Sequence, residues 1–554
     1  MESKKLRIGI LTESNHLPAW SYKMLEHLLS FDCAEIVLNI KKKSTSTPKR
    51  SFFSKLISEP QHALFFLYKK YDERRNSPKP SAFTLRPLES LIQCETLEVV
   101  PKSTKFSDRF SQEDLDIIKT YEIDILVRLG FNILRGDILK VARYGVWSYH
   151  HGDNHLNRGG PAGTWEVLNH WPETGALLQI LTEDLDGGIQ LDTCSIQTQK
   201  KSLIKNRNML YWKSCGMLPL KVKELYDLGE ESFFQKIDKL NSGISLYDAP
   251  LYKMPKNRDM FSPLWTKLML RLGRRFYKMF YFDQWILLFE WNTNNKLASS
   301  FFRFKRILPP KDRIWADPFL IERNGKHYVF LEELILGKRK KAHISVMELD
   351  KKGNYTTPIK VIEEDWHLSY PFVFLHNDRL YLIPESNENN TVDLYVSRQF
   401  PFQWERNKTL LSNIKASDTT LFYHNSLFWM FTAVAPIPGT STLDELYLYY
   451  SDDIESENWK PHPKNPIVKH ARFARPAGSI FEYNGKLIRP SQNNAGHYGA
   501  GINFQEILIL NENEYLEQNM ESVSPNWDKD LISAHTFNRL GGLTIIDALI
   551  KRRK

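Results

Sequence analysis

The chain has 554 residues, 42% apolar and 25% charged, with a formal net charge of +10. This length exceeds one ordinary hydrophobic core, and the composition excludes a chain that is disordered throughout. The surplus of Lys and Arg suits phosphate-bearing partners such as sugar nucleotides, polyglutamylated folate, nucleic acid or an anionic membrane surface, and it suits plain solubility equally well.

Leu6 to Leu11 reads as a buried parallel strand, Ser21 to Leu29 as the following helix, and Ala34 to Ile40 as a second strand. From about residue 41 to 80 the chain turns basic and Ser/Pro-rich around His62-Ala-Leu-Phe-Phe-Leu-Tyr68, which predicts an insertion. Ser111-Gln-Glu-Asp114 has capping-box spacing and opens a helix that leads into the strand Ile123 to Leu129. A short helix over Asp137 to Arg143 stops at Gly145, and Val146 to His150 and Thr174 to Leu181 follow as strands. Strands alternating with helices predict an α/β domain with a mostly parallel sheet over residues 1–205.

Residues 206–281 read as a helical linker. Within it, Leu264 to Phe280 interleaves Lys267, Arg271, Arg274, Arg275 and Lys278 with Trp265, Leu268, Leu272, Phe276 and Phe280. This is the pattern of a basic amphipathic helix, suited to peripheral contact with an anionic membrane or to packing between domains. Cys33, Cys94, Cys194 and Cys215 show no metal or disulfide spacing, which fits a reduced cytoplasmic setting. The N-terminus lacks a signal-peptide core, and no stretch offers the ~18 apolar residues of a membrane span. Action in the cytoplasm or at the inner face of the membrane is therefore expected.

Residues 282–554 read as β throughout and repeat. Each unit is a strand, a tight turn centred on Asn324, Asn377, Asn425 or Asn484, and a second aromatic-rich strand. The period is close to one propeller blade. A fifth blade is expected from Trp285 to Trp291 paired with Asn503 to Leu510, giving a five-bladed ring.

The chemistry of the first half centres on Val146-Trp-Ser-Tyr-His150. A His at the end of a parallel strand sits at the carboxyl edge of the sheet, where open α/β sheets bind ligands. Asp186, in Leu185-Asp-Gly-Gly188, follows the next strand and reaches the same edge, so His150 has a carboxylate to set its protonation. Around this pair stand Ser148-Tyr-His150, Arg158-Gly159-Gly160-Pro161, Trp165, Thr174-Gly175 and Leu185-Asp186-Gly187-Gly188.

In order and spacing, residues 120 to 192 resemble the catalytic half of the formyltransferase family, which includes methionyl-tRNA, glycinamide ribonucleotide and sugar N-formyltransferases. The resemblance implies a Rossmann-like fold using 10-formyltetrahydrofolate as co-substrate and requiring no metal. It implies that Gly130, Phe131, Asn132 and Leu134 receive the pteridine, and that Arg158, Gly159, Gly160 and Trp165 meet the acceptor. By the same resemblance His150, Asp186 and Ser148 are catalytic, His150 assisting proton transfer or stabilising the oxyanion. The family's Asn is Ser148 here, a shorter side chain with a single donor. His151 falls on the opposite side of the strand.

The second half resembles the five-bladed propellers of family 43 glycoside hydrolases, and more closely the N-terminal domain of glucosamine inositolphosphorylceramide transferases. The carriers are Trp315-Ala-Asp317-Pro, Tyr370-Pro, Pro384-Glu385-Ser386, Ser417-Asp418-Thr, Arg475-Pro-Ala-Gly478 and Arg489-Pro-Ser-Gln492. The expected pocket comprises Trp315, Asp317, His367, Tyr370, Glu385, Asp418, Arg475 and Arg489, and would bind sugar. Asp317 with Glu385 or Asp418 offers the two carboxylates of a glycosidase. Arg475 and Arg489 suit a phosphate or carboxylate ligand. The expected function is N-formylation of an amino sugar, as a sugar nucleotide or glycolipid precursor of a surface polysaccharide, with no nucleic-acid partner. The alternative is a glycoside hydrolase or a glycosyltransferase-associated glycan-binding protein with a catalytically impaired formyltransferase half.

Overall fold

The computed structural model describes residues 4–43, 51–184, 187–243, 249–292, 300–337 and 341–554. The chain divides into two compact units, one through Leu264 and one from Trp265 onward.

The first unit carries a seven-stranded sheet of β1 (Leu6–Thr12), β2 (Ala34–Lys42), β3 (Glu95–Val99), β4 (Ile125–Arg128), β5 (Val146–His150), β6 (Glu173–Ile180) and β7 (Ile189–Gln197). Their lateral order is β7-β6-β5-β4-β1-β2-β3. The five strands from β3 to β5 pair in parallel, and β6 and β7 add an antiparallel edge. This is a Rossmann-like doubly wound order, in which the crossovers diverge between β1 and β4 and open a crevice at the strands' carboxyl ends.

The helices are α1 (Ala19–Leu29), α2 (Phe52–Ser58), α3 (Ala63–Asn76), α4 (Gln112–Lys119), α5 (Leu203–Ser214), α6 (Met217–Leu228), α7 (Glu230–Asn241) and α8 (Asn257–Phe280). Ser111 caps α4, its Oγ accepting from Asp114 N at 3.1 Å, and Leu115 and Ile118 pack on Leu11, Leu38 and Leu126. On the other sheet face, Trp20 of α1 meets Tyr149, His151 and Tyr211 edge-on. Asp137 to Lys140 is a single 3-10 turn rather than a helix reaching Arg143.

The separate helical linker expected over 206–281 does not form. Asn206 Nδ2 donates to Gly163 O at 2.9 Å, Leu218 N donates to the Tyr149 hydroxyl at 3.1 Å, and Phe233 stacks on Trp147. Helices α5 to α7 thus belong to the first unit, because their apolar stripes are buried on it. The insertion is docked as well. Phe65 of α3 joins Val167, Leu168, Leu203 and Met260 in one apolar cluster, and buried Asp72 accepts from Ser202 Oγ and Ile204 N, each at 3.0 Å.

The boundary between the units falls within α8. Beyond it Trp265, Leu268, Leu272, Phe276 and Met279 recur at helical spacing and are exposed, Trp265 and Phe276 by 64% and 65%. The interleaved Lys267, Arg271, Arg274 and Lys278 flank this stripe, roughly a third of a turn around the helix, and Arg275 falls at its edge. No described helix is long and apolar enough to cross a membrane.

The second unit consists of antiparallel sheets. Sheet I is Arg313–Arg323, Lys326–Ile335, His343–Leu349 and Ile359–Ile362; sheet II is Ser369–His376, Arg379–Ser386, Thr391–Gln399 and Gln403–Ser412. Sheet III is Ala416–His424, Leu427–Val434, Leu446–Ser451 and Lys460–Pro461; sheet IV is Phe481–Tyr483, Lys486–Asn493, Gly501–Leu510 and Tyr515–Val523. A fifth sheet pairs Tyr281–Trp291 with Leu543–Arg553 in continuous antiparallel register.

The expected partner for Trp285 to Trp291 was therefore wrong. Asn503 to Leu510 lies inside sheet IV, against Lys486–Asn493, and the C-terminal strand takes its place. Strand-to-strand pairing across the whole unit is set by tertiary contacts, and the periodicity of one strand does not specify it.

The turn asparagines Asn324, Asn377, Asn425 and Asn484 all have φ near +50°, the left-handed conformation that Asn tolerates best after Gly. A second recurrent position is also left-handed: Asp317, Tyr370 and Asp418 have φ of 50°, 44° and 52°. Each lies at a break in strand register. These bulges rotate one residue per sheet out of the alternating pattern.

Candidate functional site

In the first unit, parallel register sets Ser148 directly beside Arg128. Arg128, Ser148 and His150 share one sheet face at the carboxyl edge. Arg128 Nη1 donates to Ser148 Oγ at 3.1 Å and Nη2 to Phe131 O at 3.0 Å. Burial lowers the Arg128 pKa, and Glu13 and Asp108 partly offset this. His150 lies close over Gly152: a Cβ there would stand 2.8 Å from His150 Nε2 and 2.8 Å from Asn157 O. His151 faces the other way, stacked at 3.6 Å on Tyr211, and burial lowers its pKa to about 3. Asp186 lies outside the described residues; Thr182 Oγ1 holds the carbonyl of Gly187 beside it at 3.0 Å.

The loop after β4 is held by acids. Phe131 N donates to Glu13 at 3.0 Å, and Asn132 uses its backbone and side-chain amides on Asp108 at 2.8 and 3.2 Å. Gly130 is required, since a Cβ would stand 2.7 Å from Glu13 Cγ and 3.1 Å from Glu13 N. Phe131 and Leu134 point into the core, 5% and 1% exposed, so this loop offers a ligand its backbone rather than those side chains.

The Arg158-Gly-Gly-Pro loop is seated on the segment around Tyr252. Gly160 N donates to Tyr252 O at 3.1 Å, and Trp165 stacks at 4.7 Å on the Tyr252 ring and donates to Lys253 O. A Cβ on Gly159 would fall 1.8 Å from Tyr252 O. Gly159 and Trp165 thus shape the loop, while Arg158 remains half-buried at its head. Sequence reasoning missed Arg128 and Tyr252, because their roles come from strand register and a distant return of the chain.

In the second unit the bulge residues converge. Asp317 N donates to Asp547, Thr536 Oγ1 donates to Asp317 at 2.7 Å, and Tyr370 N donates to Asp317 at 3.2 Å. The Tyr370 hydroxyl accepts from Gly478 N at 2.7 Å and bonds Thr420 at 2.8 Å. Phe537 N donates to Ala477 O at 2.7 Å. Asp418 is gripped by Arg475 Nε and Nη2 at 2.6 and 3.1 Å and by Gln492 Nε2 at 2.6 Å, and Arg475 Nη2 also reaches Glu385 at 3.0 Å. His367 pairs with Glu332 at 3.3 Å.

This cluster shifts its own titrations. Burial, with help from Glu332, Asp547 and Asp418, pushes Asp317 up to about 7 against the pull of His535. Burial opposes a charge on His535, yet Asp547 and Asp317 raise its pKa to about 9. Burial raises Glu385 well above the usual carboxylate range despite Arg475.

Two expected pocket residues lie elsewhere. Trp315 packs among Leu287, Phe289 and Leu331 and donates to Glu333 at 3.1 Å, because the bulge after Ala316 turns Asp317 away from it. Arg489, 1% exposed, pairs with Glu517 at 2.7 Å and donates to Phe473 O, inside sheet IV. Glu332, His535 and Asp547 were missed, since isolated acids and histidines carry no motif, and Gln492 ended a recognised motif without being placed in the pocket. Asp317, His535 and Asp547 present ligand atoms within 4.8 Å of one another and have a donor set a metal could use. Those atoms are already engaged: His535 Nδ1 lies 2.6 Å from Asp547, which also accepts from His535 N and Thr536 N.

Residues 309–537 match the family model described as glucosamine inositolphosphorylceramide transferase 1, N-terminal. Glucosamine inositolphosphorylceramide transferase 1 of Arabidopsis thaliana is 33% identical over 204 residues, 36% of this chain and 26% of that protein. The chain thus spans about a quarter of that relative's length. A methionyl-tRNA formyltransferase of Prochlorococcus marinus is 32% identical over 129 residues, 22% of this chain and 37% of that protein. A solved family 117 glycoside hydrolase of Zobellia galactanivorans superposes with a TM-score of 0.31 at 11% identity, covering 48% of this chain and 90% of its own. The chain therefore joins similarity to a transferase N-terminal region with weaker similarity to a formyltransferase.

Proposed function

We propose that the first unit transfers the formyl group of 10-formyltetrahydrofolate to the amine of an amino sugar, and that the second unit closes as a five-bladed propeller that binds glycan. The observation that carries this reading is the row Arg128, Ser148, His150 on one sheet face at the carboxyl edge, next to a pinned backbone loop at residues 130–134. In this reading that loop receives the pteridine through its backbone carbonyls, its amides being spent on Glu13, Asp108 and Phe106 O.

The substrate nitrogen attacks the formyl carbon, the bond to the folate nitrogen breaks, and the proton lost by the amine returns to the leaving nitrogen. His150 moves that proton or donates to the transient oxyanion, and Asp186 orients His150. Arg128 answers the exchange of the family's Asn for Ser148: its guanidinium donates to Ser148 Oγ and brings a charged donor set to the face from which a longer amide is missing.

Hydrolysis is the weaker reading of the second unit. Asp418 and Glu385 are both tied to Arg475, whereas a glycosidase's general acid must be free to face the glycosidic oxygen. This ring of carboxylates and amides around Arg475 suits recognition of sugar hydroxyls. The exposed apolar stripe of α8 and the cations that flank it support action at an anionic membrane face.

The experiment is incubation of the pure protein with 10-formyltetrahydrofolate and a panel of amino sugars and their nucleotides. Tetrahydrofolate release should require an amino sugar and fall by about 10²- to 10⁴-fold in His150→Ala. Release unaffected by that change would defeat the proposal. Glycan hydrolysis dependent on Asp317 would move the activity to the second unit.

A further inference from the structure

The insertion builds a pocket that the formyl-transfer reading leaves unused. Phe52 and Lys55 of α2, Phe65, Phe66, Lys69, Lys70 and Glu73 of α3, and Arg207 of α5 surround a cavity of about 560 Å³. Pro161 and Thr164, from the loop that leaves His150, complete its wall. The volume lies within the roughly 300–1,000 Å³ usual for small-molecule sites.

Its charge is unbalanced. Four cations face one carboxylate, Glu73, which stands 3.8 Å from Lys69. Among the described residues Lys55, Lys70 and Arg207 have no ion-pair partner, and the buried Arg207 Nε has no hydrogen-bond partner. Lys70 Nζ sits 3.8 Å over the Phe52 ring, and the Arg207 guanidinium lies 4.4 Å over Phe83. Burial lowers the Lys69 pKa against the attraction of Glu73, and the repulsion of Arg207 and Lys55 adds to the lowering. Such a cluster is stabilised by a multivalent anion, and the part-buried Phe52 and Phe66 beside it offer apolar surface to a flat ring.

We propose that this pocket binds the nucleoside diphosphate of a sugar-nucleotide acceptor. Lys55, Lys69, Lys70 and Arg207 meet the diphosphate, and Phe52 and Phe66 meet the base. The identity of the attached sugar rests on the formyl-transfer reading; the diphosphate site does not. A polyprenyl diphosphate shares the phosphoanhydride but lacks the base.

The test is calorimetric titration of the full chain at low salt with UDP, dTDP, GDP and CDP, with inorganic pyrophosphate, and with vesicles carrying a polyprenyl diphosphate. At least one nucleoside diphosphate should bind saturably and more tightly than pyrophosphate. Lys55→Glu, at an exposed helix position, and Lys70→Glu, at a half-buried one, should each weaken it by about tenfold or more, the loss of one charge-assisted hydrogen bond, the first at unchanged Tm. Binding to His150→Ala should be unchanged, so failure of formyl transfer and failure of this pocket are separately visible. No saturable nucleotide binding, binding indifferent to both charge reversals, or tighter binding of pyrophosphate or the lipid diphosphate overturns the proposal.

Discussion

Replacing Arg475 with Met removes the cation that holds Asp418 and Glu385, whose side chains are 2% and 11% exposed. Breaking a buried ion pair by deleting one partner costs about 3–5 kcal/mol, which for a unit of this size lowers Tm by roughly 6–20 °C. Glu385, which burial already holds well above the usual carboxylate range, escapes part of that cost by taking up a proton. A carboxylate whose folded pKa lies above its unfolded value contributes stability that is complete below about pH 4 and is lost as pH rises through the folded pKa, by up to about 1.4 kcal/mol per pH unit. The deficit should therefore be largest at pH 8 and shrink toward pH 5. Thermal unfolding of both proteins at pH 5, 6.5 and 8, followed by intrinsic fluorescence, measures it. A deficit that is the same at every pH, or greatest at pH 5, would show that the Arg475 pairings do not govern this cluster.

Asp317→Asn should flatten the pH dependence of wild-type stability near neutrality: the Asp317 pKa is raised to about 7, so its contribution is lost as pH rises through that value. Tm measured from pH 5 to 8 checks this, and an unchanged slope contradicts it. Arg128→Met should lower the rate of formyl transfer by about 10²-fold or more, the usual cost of an oxyanion-side donor, with little change in KM for the amino sugar. Gly159→Ala should destabilise the first unit by about 1–3 kcal/mol, since its Cβ would fall 1.8 Å from Tyr252 O and force the loop off its seat; denaturant unfolding reads the change. Phe276→Glu should abolish co-sedimentation with anionic vesicles while leaving neutral-vesicle binding at background, and equal binding by both proteins would remove α8 from the membrane reading.

Much of the fold was legible from local pattern. The apolar runs of β1, β4 and β5 announced a sheet covered on both faces, Ser111 announced the start of α4, and the spaced asparagines marked hairpin turns that are left-handed in the structure. The convergence of Asp317, Tyr370, Asp418 and Arg475 followed from their repeated places at strand starts. Trp315 and Arg489 shared the motifs but not the destination, because a bulge and strand alternation send them into packed interiors.

By itself, then, the sequence determined the strands β1, β2, β4, β5 and β6 and the helices α1 and α4, where the hairpins turn, and that His150 stands at a sheet edge, since each depends on spacing within a few residues. Tertiary structure alone decided three things. The C-terminal strand, rather than Asn503 to Leu510, completes the fifth sheet; Arg128 stands beside Ser148; and a basic insertion folds over Pro161 to make a cationic pocket. Each of these joins residues far apart in the chain. Such pairings are selected by the burial and charge balance of the whole unit, which local periodicity does not encode.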